Sequence, residues 1–532
     1  MALLVVTSVP PFFGYLTTPQ EKWFSGIVYN VHDAAQYLSW MRDARDHLLT
    51  ENRLTSEPNT PIFFNLHWWL AGRLGSLLGL SLPQSYEAFR LLAVPFLVFS
   101  IFISIRLVFQ NHHGLYASFF VALLSSGLGW IWILLKQFTG ELRFPQDLYL
   151  MMANTFYTML ASPHLTLAAA LTILVLHLSL QSHNRKSLLG ALGAGLLALF
   201  LGMGHIYDLV TIWGVLAFFG LLLTLRDGWS WPVFGRLALV MLISAPAVLY
   251  WGWVSSDAHP LWKQALAQYD NLGTFTPDPA HLLILLGITF IIALATYEGW
   301  VPLQQQSNEQ LLFKGWFGVT LVLVYMPLPF RVMLLTGYQL PLSVLATWGL
   351  YEHILPWLQE RLSGVFWSRF LNQERLAHWL PVVLVVLILP TNLYMLAWRV
   401  VDLHRHDYPY YLYQDDRAAL RWLETNADPQ DVVLSSFTIG HYIPGLAGNR
   451  AFLANAVMTM DFDRKSELVK IFFDSPTVES WRQTFVQKNR IRYVFFGPAE
   501  REVGKFQLAE SVLFKRVFSS PRTEIYEVRP KE

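Results

Sequence analysis

The chain has 532 residues, of which 54% are hydrophobic and only 14% are charged, and its formal net charge is +1. That apolar excess is too large for a purely soluble protein, and the near-neutral charge gives no electrostatic case for a nucleic-acid partner. The absence of cysteine excludes disulfides, thiolate metal sites and cysteine nucleophiles.

The charged residues are concentrated near the C-terminus, because residues 403–532 carry 35 of the 75 in the chain. Composition therefore predicts a membrane part at residues 1–402 and a soluble domain at residues 403–532. Residues 2–16 are apolar but short and contain Pro10 and Pro11. They could be a cleaved signal, but no basic region precedes them and no small-residue cleavage site follows, so we interpret them as a first span.

Ten further apolar stretches are long enough to cross the hydrocarbon core, which predicts about eleven transmembrane helices. They are residues 91–105, 114–135, 165–180, 188–204, 209–225, 237–256, 282–297, 315–330, 339–358 and 379–398.

The basic residues of the short loops predict the orientation. A consistent arrangement places in the cytoplasm Arg185, Lys186, Arg226, Arg236, Lys314, Arg361, Arg369 and Arg375. The loops facing outward are then 17–60, 136–154, 205–208, 257–281 and 331–338, and the C-terminal domain is also outside. The sequence thus predicts a multi-pass protein of the cell inner (plasma) membrane with an extracytoplasmic C-terminal domain.

The C-terminal domain alternates helical and strand patterns. Helices are predicted at 415–425, 463–473 and 478–488, and strands at 432–436, 492–496 and 523–528. This pattern is typical of a small α/β domain. No glycine-rich phosphate loop accompanies its strands, so we do not expect a nucleotide site there.

The densest polar cluster ahead of that domain lies in the first outer loop, in the stretch 29–44, YNVHDAAQYLSWMRDA. Ala34, Tyr37, Leu38 and Met41 follow helical spacing, which predicts an amphipathic helix along the membrane surface. Asp33 stands at its start, where an aspartate can cap a helix. A carboxylate at the water–lipid boundary could equally accept a proton from an acceptor hydroxyl.

A second interfacial helix is predicted at residues 62–80, with the paired Trp68 and Trp69, after the turn Asn59-Thr60-Pro61. The outer loop and its interfacial helices therefore cover residues 17–80. The chain thus begins with a short first span, which is followed by Asp33, an amphipathic helix and a second surface helix. Many more spans and an outer α/β domain come after them. This order resembles the GT-C superfamily of integral membrane glycosyltransferases, which includes protein mannosyltransferases and bacterial lipid-A arabinose transferases.

Three runs of the C-terminal domain are similar to the outer domains of bacterial GT-C members. They are residues 418–423 (AALRWL), 428–434 (DPQDVVL) and 448–450 (GNR). The resemblance covers nearly the whole chain in architecture, whereas its local motifs are degenerate.

The resemblance implies a mechanism in which a sugar passes from a polyprenyl-phosphate donor to an acceptor glycan, lipid or protein outside the cytoplasmic face. An aspartate of the first outer loop acts as the base and the anomeric centre inverts; Asp33 is the matching position. Many members carry two acidic residues there, whereas His32 precedes Asp33 in this chain. That departure favours a metal-free mechanism with no cofactor, although a divalent metal is not excluded. His32 and Tyr37 are further candidates for substrate binding.

The phosphate of such a donor needs positive charge or hydrogen-bond donors near the outer membrane face. Arg331 follows Pro327-Leu328-Pro329-Phe330 between two spans, and it could instead anchor the helix end among lipid headgroups. His164 follows Ser162-Pro163, which could simply be a helix entrance.

A short outer link at residues 204–208 carries His205, Tyr207 and Asp208, which could bind the sugar phosphate or satisfy two helix ends. Asp208 is the alternative acid or base if Asp33 is only a cap. Asn154 in the preceding outer loop is a weaker candidate.

For other polar residues a structural role is an alternative to the functional one. Asp257, His259, Lys263 and Asp270 could cover the donor or be solvated surface. In the C-terminal domain, His441, Tyr442 and Asn455 follow predicted strands and could recognise an acceptor or only pack.

Two other functions fit a protein with many spans. A transporter or flippase of a lipid-linked sugar predicts ionisable residues in mid-span and inverted repeats, and the sequence gives neither. The third function is a non-catalytic membrane scaffold with an outer binding domain. A transferase should have a cavity over Asp33 that opens both to lipid and to the outside, whereas a scaffold needs none.

Overall fold

A computed structural model of the chain describes residues 1–140, 145–268, 275–296, 301–362 and 373–530. The predicted positions Asp270, Tyr297 and Arg369 lie outside these residues. The described helices are α1 Ala2–Thr17, α2 Val31–Asp43, α3 Leu66–Leu77, α4 Leu82–Val108, α5 His112–Leu124, α6 Gly129–Thr139, α7 Thr155–Ala161, α8 Pro163–Asn184, α9 Leu188–Gly202, α10 Tyr207–Asp227, α11 Trp231–Val254, α12 Pro260–Ala267, α13 Pro279–Ala295, α14 Asn308–Leu323, α15 Gln339–Gly349, α16 Leu355–Leu362, α17 Gln373–Ile388, α18 Pro390–His404, α19 Gln414–Asn426, α20 Phe437–Gly440, α21 Phe462–Phe473, α22 Glu479–Lys488 and α23 Pro498–Val503.

The described strands are β1 Lys22–Phe24, β2 Tyr411–Tyr413, β3 Val432–Leu434, β4 Arg450–Ala451, β5 Ile491–Phe496, β6 Phe514–Ser519 and β7 Glu524–Val528. Contacts divide the chain into two compact units. Unit 1 comprises Met1–Ser8, Arg90–Trp251 and Thr274–Trp398; unit 2 comprises Val9–Phe89, Gly252–Gly273 and Arg399–Glu532. The first outer loop belongs to the same unit as the C-terminal domain, so these units do not test a domain boundary between residues 402 and 403. That boundary stays a prediction.

Five helices among the described residues are long and apolar enough to cross a membrane: α4, α8, α10, α11 and the joined α17–α18. The bent pair α5–α6 makes a sixth, and α1, α9 and α13 are shorter apolar helices. The structure therefore has several candidate spans but does not confirm the predicted count of eleven.

Three predicted continuous spans are broken. The span 114–135 is two helices bent by 48°, because Ser125-Ser126-Gly127 is a weak helix former and the freed Leu128 N–H donates to Ile284 O at 2.8 Å. The span 282–297 kinks at Gly287 (φ 71°), where a Cβ would lie 2.5 Å from Ser126 O. The span 379–398 is interrupted at Leu389, before Pro390, although α17 and α18 together still form one candidate span.

Loops predicted to share the cytoplasmic side lie together at one end of unit 1. Arg226 donates to Gln306 O at 2.8 Å and to Asn308 Oδ1 at 2.6 Å. Asn184 in turn bonds Asn308 at 2.7 Å and Glu309 at 2.9 Å. Three connections that the basic residues assigned to one side thus meet one another, which supports the predicted alternation of loops.

Unit 2 contains the C-terminal sheet domain, with strand order β4-β3-β5-β7-β6. Strands β4, β3 and β5 are parallel, whereas β7 is antiparallel to β5 and β6. Phenylalanines from the helices and strands fill its core, among them Phe472, Phe485 and Phe496. All six predicted elements of this domain are present. Strands β4 and β6 were not predicted.

The first outer loop belongs to unit 2 and is joined to the C-terminal domain by buried ion pairs. Arg450 Nη2 contacts Glu51 Oε2 at 2.5 Å, and Arg53 bridges Glu51 at 3.0 Å and Asp43 at 3.1 Å. The backbone Ala451 N–H donates to Arg53 O at 2.9 Å. Strand β1 also pairs with β2. These contacts fix residues 43–53 against the sheet.

The prediction that α2 has a free apolar face along the membrane is wrong. Ala34, Leu38 and Met41 are buried inside unit 2, as are Val31 and Trp40. Leu38 lies against Gly445, and the Met41 carbonyl lies where a Cβ on Gly72 of α3 would stand. The apolar periodicity does mark the buried face of α2, but that face packs against α3 and residues 443–447 of the C-terminal domain.

We expect Glu51→Gln to destabilise unit 2 by about 3 kcal/mol, because it leaves the buried Arg450 guanidinium without a carboxylate. Adding Arg450→Met should recover part of the loss. The measurement is the free energy of unfolding of the purified protein from tryptophan fluorescence in denaturant.

The control is Glu467→Gln, which breaks the exposed Lys470 pair and should cost less than about 1 kcal/mol. Equal losses from Glu51→Gln and Glu467→Gln would contradict this account of unit 2.

Candidate functional site

Helix α2 begins at an asparagine, not at Asp33. Asn30 has left-handed backbone angles (φ 43°, ψ 60°), which asparagine tolerates, and its Oδ1 accepts the Asp33 N–H at 3.4 Å. The interpretation of Asp33 as the helix cap is therefore wrong. Because Asn30 satisfies the helix end, the Asp33 carboxylate is not used for capping.

The Asp33 carboxylate is held by side-chain amides. Asn30 Nδ2 donates to Asp33 Oδ2 at 2.6 Å, and Asn455 adds a second amide hydrogen bond. Asn455 also donates to the His32 carbonyl at 3.1 Å, while its own Oδ1 accepts the Val457 N–H at 2.8 Å. Burial raises the pKa of Asp33 above the ordinary aspartate value, and the two amides oppose that shift only in part.

Asp33 differs from the other carboxylates of this loop in its electrostatic partners. Asp43 and Glu51 pair with arginines, and Glu57 pairs with Lys465 at 2.8 Å. Among the residues that the structure describes, no lysine or arginine forms an ion pair with Asp33. A carboxylate without a counter-ion is a better proton acceptor than a salt-bridged one.

His32 and His441 form a hydrogen-bonded pair next to Asp33. His441 Nδ1 lies 2.5 Å from the Phe437 carbonyl, which can only accept, so Nδ1 carries the proton. His441 Nε2 is then the acceptor for His32 Nδ1 at 2.8 Å. This chain leaves His32 with an unprotonated Nε2. Burial lowers the pKa of both rings, which keeps them neutral near pH 7.

A second cluster lies in unit 1 and joins residues of the predicted outer link 204–208 to His164, which was predicted at the outer start of a span. His205 Nδ1 donates to Asp208 Oδ2 at 2.7 Å, and the His205 ring is 5.8 Å from the ring of His164. Tyr207 contacts His205 at 5.2 Å and Phe330 at 4.7 Å between ring centroids. The structure thus brings His164, His205, Tyr207 and Asp208 together.

Arg331 follows Phe330 and begins a short 3-10 helix, Arg331–Leu335. Its Nε donates to the Leu328 carbonyl at 3.0 Å, and the side chain is exposed. Within the described residues, Arg331 forms no ion pair with a carboxylate. Its remaining guanidinium hydrogens are thus available to an anion.

Two other candidates have structural contacts. Asn154 caps α7 by accepting the Tyr157 N–H at 3.0 Å, and its Nδ2 donates to Asn392 at 2.7 Å. Tyr37 stacks on Trp68 at 4.3 Å. Their roles in substrate binding stay predictions.

In the described part of the chain, no three histidine, aspartate or glutamate side chains lie close enough together to hold a metal ion. The groups around Asp33 are amides and two neutral imidazoles, and of the two imidazoles only His32 has a ring nitrogen, Nε2, whose lone pair is not used between the rings.

No protein-family model and no curated protein matches this sequence. The structure is similar to the archaeal oligosaccharyltransferase AglB from Archaeoglobus fulgidus in complex with an inhibitory peptide and a dolichol-phosphate. The TM-score is 0.53 at 12% identity, covering 93% of this chain and 69% of that chain. It is also similar to ArnT from Cupriavidus metallidurans bound to undecaprenyl phosphate, with a TM-score of 0.51, 12% identity and coverage of 100% and 99%.

A third similar structure is the arabinofuranosyltransferase AftD from Mycobacteria, with a TM-score of 0.51 and 13% identity over 100% of this chain and 42% of that one. All three proteins are GT-C membrane glycosyltransferases. The chain has the GT-C fold. The predicted resemblance is confirmed at the level of the fold, and a structure of AglB with Zn and sulfate is a further match, with a TM-score of 0.50.

The sequence did not predict which residues surround Asp33. His441 and Asn455 were candidates only for acceptor recognition or packing, and Asn30 was not singled out. Position 441 is 409 residues from His32 and position 455 is 423 residues away, so no local pattern connects them. The signal that the sequence does carry is the unusual density of polar side chains between Tyr29 and Asp43.

We expect Asp33→Asn to make the folded protein more stable at pH 7. The folded-state pKa of Asp33 is raised, so ionisation costs stability as pH rises from the unfolded-state pKa through the folded-state pKa. Asparagine removes that cost and can still accept the Asn30 hydrogen bond.

The measurement is the free energy of unfolding of both proteins between pH 4 and pH 8. The advantage of the variant should shrink on acidification. A variant that is less stable than wild type at pH 7 would show that the ionised carboxylate is well compensated.

Proposed function

We propose that the chain is a glycosyltransferase that moves a sugar from a polyprenyl-phosphate donor to an acceptor hydroxyl on the extracytoplasmic face of the membrane. The observation that carries the proposal is Asp33, a half-buried carboxylate held by two amides without a cation. The GT-C fold supports a lipid-linked donor in general, since the AglB and ArnT structures hold dolichol-phosphate and undecaprenyl phosphate.

In the proposed reaction the acceptor oxygen attacks the anomeric carbon while Asp33 takes the proton of the acceptor hydroxyl. The bond between the anomeric carbon and the phosphate oxygen breaks, and polyprenyl phosphate leaves with the electron pair. Attack opposite the leaving group inverts the anomeric centre. The raised pKa of Asp33 suits a general base, because base strength rises with pKa.

We assign the leaving phosphate to the cluster in unit 1. Arg331 supplies an exposed guanidinium, and His164 and Tyr207 supply further donors, which stabilise the negative charge that develops on the leaving oxygen. His205 donates its Nδ1 proton to the Asp208 carboxylate, so its Nε2 is left to accept a hydrogen bond, as from a sugar hydroxyl.

His32 is proposed as a second contact to the acceptor. Its hydrogen bond to His441 makes Nε2 an acceptor, and His32 precedes Asp33 in the same helical turn. A second hydroxyl of the acceptor, next to the one that reacts, can therefore donate to His32 Nε2 while Asp33 takes the proton of the reacting hydroxyl.

One observation favours a transporter of a lipid-linked sugar as the second candidate. The breaks at Ser125–Leu128, Gly287 and Leu389 lie together, since Leu128 bonds Ile284 and Ser126 Oγ donates to the Ile388 carbonyl. The buried Asp147 accepts the nearby Gly129 N–H at 2.7 Å. Broken helices beside a buried carboxylate are typical of transporter sites. Transport, unlike transfer, leaves the sugar–phosphate bond intact.

The proposal predicts that Asp33→Asn lowers the initial transfer rate by about 10²–10⁴-fold, the usual contribution of a general base. Membranes containing wild type or variant are supplied with labelled polyprenyl-phosphate sugars, and label in acceptor material is counted. The control is Asp463→Asn, a first-turn aspartate of α21 that is exposed. Undiminished transfer by Asp33→Asn would overturn the base assignment.

Two substitutions of His32 distinguish the roles of its two ring nitrogens. Asparagine keeps a donor toward His441 but has no atom at the Nε2 position, whereas glutamine places an amide near that position and loses the His441 contact. We expect His32→Asn to lower kcat/KM by about tenfold, the value of one hydrogen bond of about 1.4 kcal/mol, and His32→Gln to retain more activity.

Thermal unfolding of the two His32 variants serves as the control for folding. If His32→Asn keeps the wild-type kcat/KM while His32→Gln loses it, the ring only supports His441 and does not contact the acceptor.

A further inference from the structure

Unit 2 contains a cavity of about 350 Å³ where the end of α1, strand β1, the end of α2 and the start of α4 meet helix α19. We call it the arginine cavity, because Arg42, Arg45, Arg417 and Arg421 line it together with one acid, Glu424. A cavity in unit 1 between α4, α8 and α15 is only about 10 Å³, roughly the space of one water molecule. The arginine cavity is large enough for a small ligand or headgroup.

Most of the positive charge in the cavity is not neutralised. Arg42 Nη2 pairs with Glu424 at 2.8 Å, and its Nη1 donates to the Leu446 carbonyl at 3.2 Å. Arg45 Nη2 donates to the uncharged Leu80 carbonyl at 2.8 Å, and its buried Nε has no hydrogen-bond partner in the described part of the chain. Asp46, on the same segment, is the other acid near Arg45.

The two arginines of α19 have even fewer partners. Arg417 lies over the Trp23 ring at 5.0 Å, a cation–π contact that leaves its charge intact. The Arg421 side chain is exposed and, among the described residues, forms no hydrogen bond or ion pair. Burial, and then repulsion from Arg42 and Arg421 respectively, lower the pKa of Arg45 and of Arg417. The guanidiniums of Arg45, Arg417 and Arg421 therefore share one cavity in which little negative charge offsets their positive charge.

The chemistry of these groups selects the ligand. Guanidinium forks bind phosphate oxygens in pairs, which a single ammonium cannot do. The remaining wall is apolar and aromatic, with Tyr15, Phe24 and Leu82. The cavity adjoins the end of the apolar helix α1 and the start of α4, a candidate span. Headgroups lie at the ends of membrane spans.

We propose that the arginine cavity binds a phosphate-bearing anion, and that the headgroup of an anionic membrane phospholipid is its source. This site is separate from the proposed transfer chemistry. Arg42 follows Asp33 by nine residues, which is about 14 Å along α2 at 1.5 Å per residue. A bound phosphate would join the end of α2 to α19 by relieving the repulsion among the arginines.

The test uses the full chain, purified in a neutral detergent, with thermal unfolding followed by tryptophan fluorescence. Three probes are added at equal concentration: dihexanoyl phosphatidylglycerol, dihexanoyl phosphatidylcholine and inorganic phosphate. We expect the anionic lipid to raise Tm most, because a ligand that binds only the folded state stabilises it. Inorganic phosphate that matches the anionic lipid would support the phosphate site but overturn the lipid source.

The decisive variant is Arg417→Gln with Arg421→Gln, which should lose at least about half of the Tm rise. The matched control, Arg464→Gln with Lys488→Gln, removes the same charge from exposed positions outside the cavity and should keep the rise. If the double variant does not fold, Arg421→Gln alone is used, since that side chain is exposed. The proposal would be overturned if the cavity variant kept the full Tm rise of the wild type, or if phosphatidylcholine raised the wild-type Tm as much as phosphatidylglycerol does.

The readout does not depend on enzymatic activity. Asp33→Asn should keep the lipid-induced Tm rise, whether or not it transfers sugar. Two results together would contradict a separate site: loss of sugar transfer in the cavity variant, and loss of the lipid-induced Tm rise in Asp33→Asn. They would assign the arginine cavity to the transfer reaction instead.

Discussion

The ion pairs that Glu51 forms with Arg450 and Arg53 are the constraint on which unit 2 depends, because Glu51 and Arg450 are 399 positions apart and both are buried. Separating such a pair leaves a charge in a poorly solvated place, which costs more than losing an exposed salt bridge. Arg53 extends the network to Asp43 at the end of α2. The helix that carries Asp33 is therefore fixed at its far end to the C-terminal domain.

The beginning of α2 is fixed by uncharged groups, and this difference gives Asp33 its character. Asn30 and Asn455 donate to the carboxylate or the backbone beside it, and His441 holds His32 in one tautomer. Amides orient a carboxylate without neutralising it, whereas Arg53 neutralises Asp43 at the other end of the helix. One helix thus has a structural end and an end suited to proton transfer.

The sequence predicted what depends on local pattern. Hydropathy located the apolar helices, and strand and helix periodicity located six elements of the C-terminal domain, because each needs only its own residues to be recognised. Basic residues correctly grouped the connections around Asn184, Arg226 and Asn308. The break at Ser125–Leu128 was missed because its backbone groups find partners on other helices, which hydropathy does not register.

The site was predicted only in part for the same reason. Asp33, His164 and His205 were named from local chemistry, but the cap at Asn30 requires a left-handed residue that no pattern indicated. The partners His441 and Asn455 reach Asp33 and His32 only because the chain folds back on itself.

The central claim is that Asp33 removes a proton as a sugar leaves polyprenyl phosphate. The direct measurement uses purified protein, a panel of polyprenyl-phosphate sugars and soluble acceptors, with released polyprenyl phosphate counted and the anomeric configuration of the product read by NMR. We expect equal amounts of lipid phosphate and glycosylated acceptor, an inverted anomeric centre, and formation of both products about 10²–10⁴-fold slower with Asp33→Asn. Retention of configuration, or release at the wild-type rate in that variant, would contradict the claim.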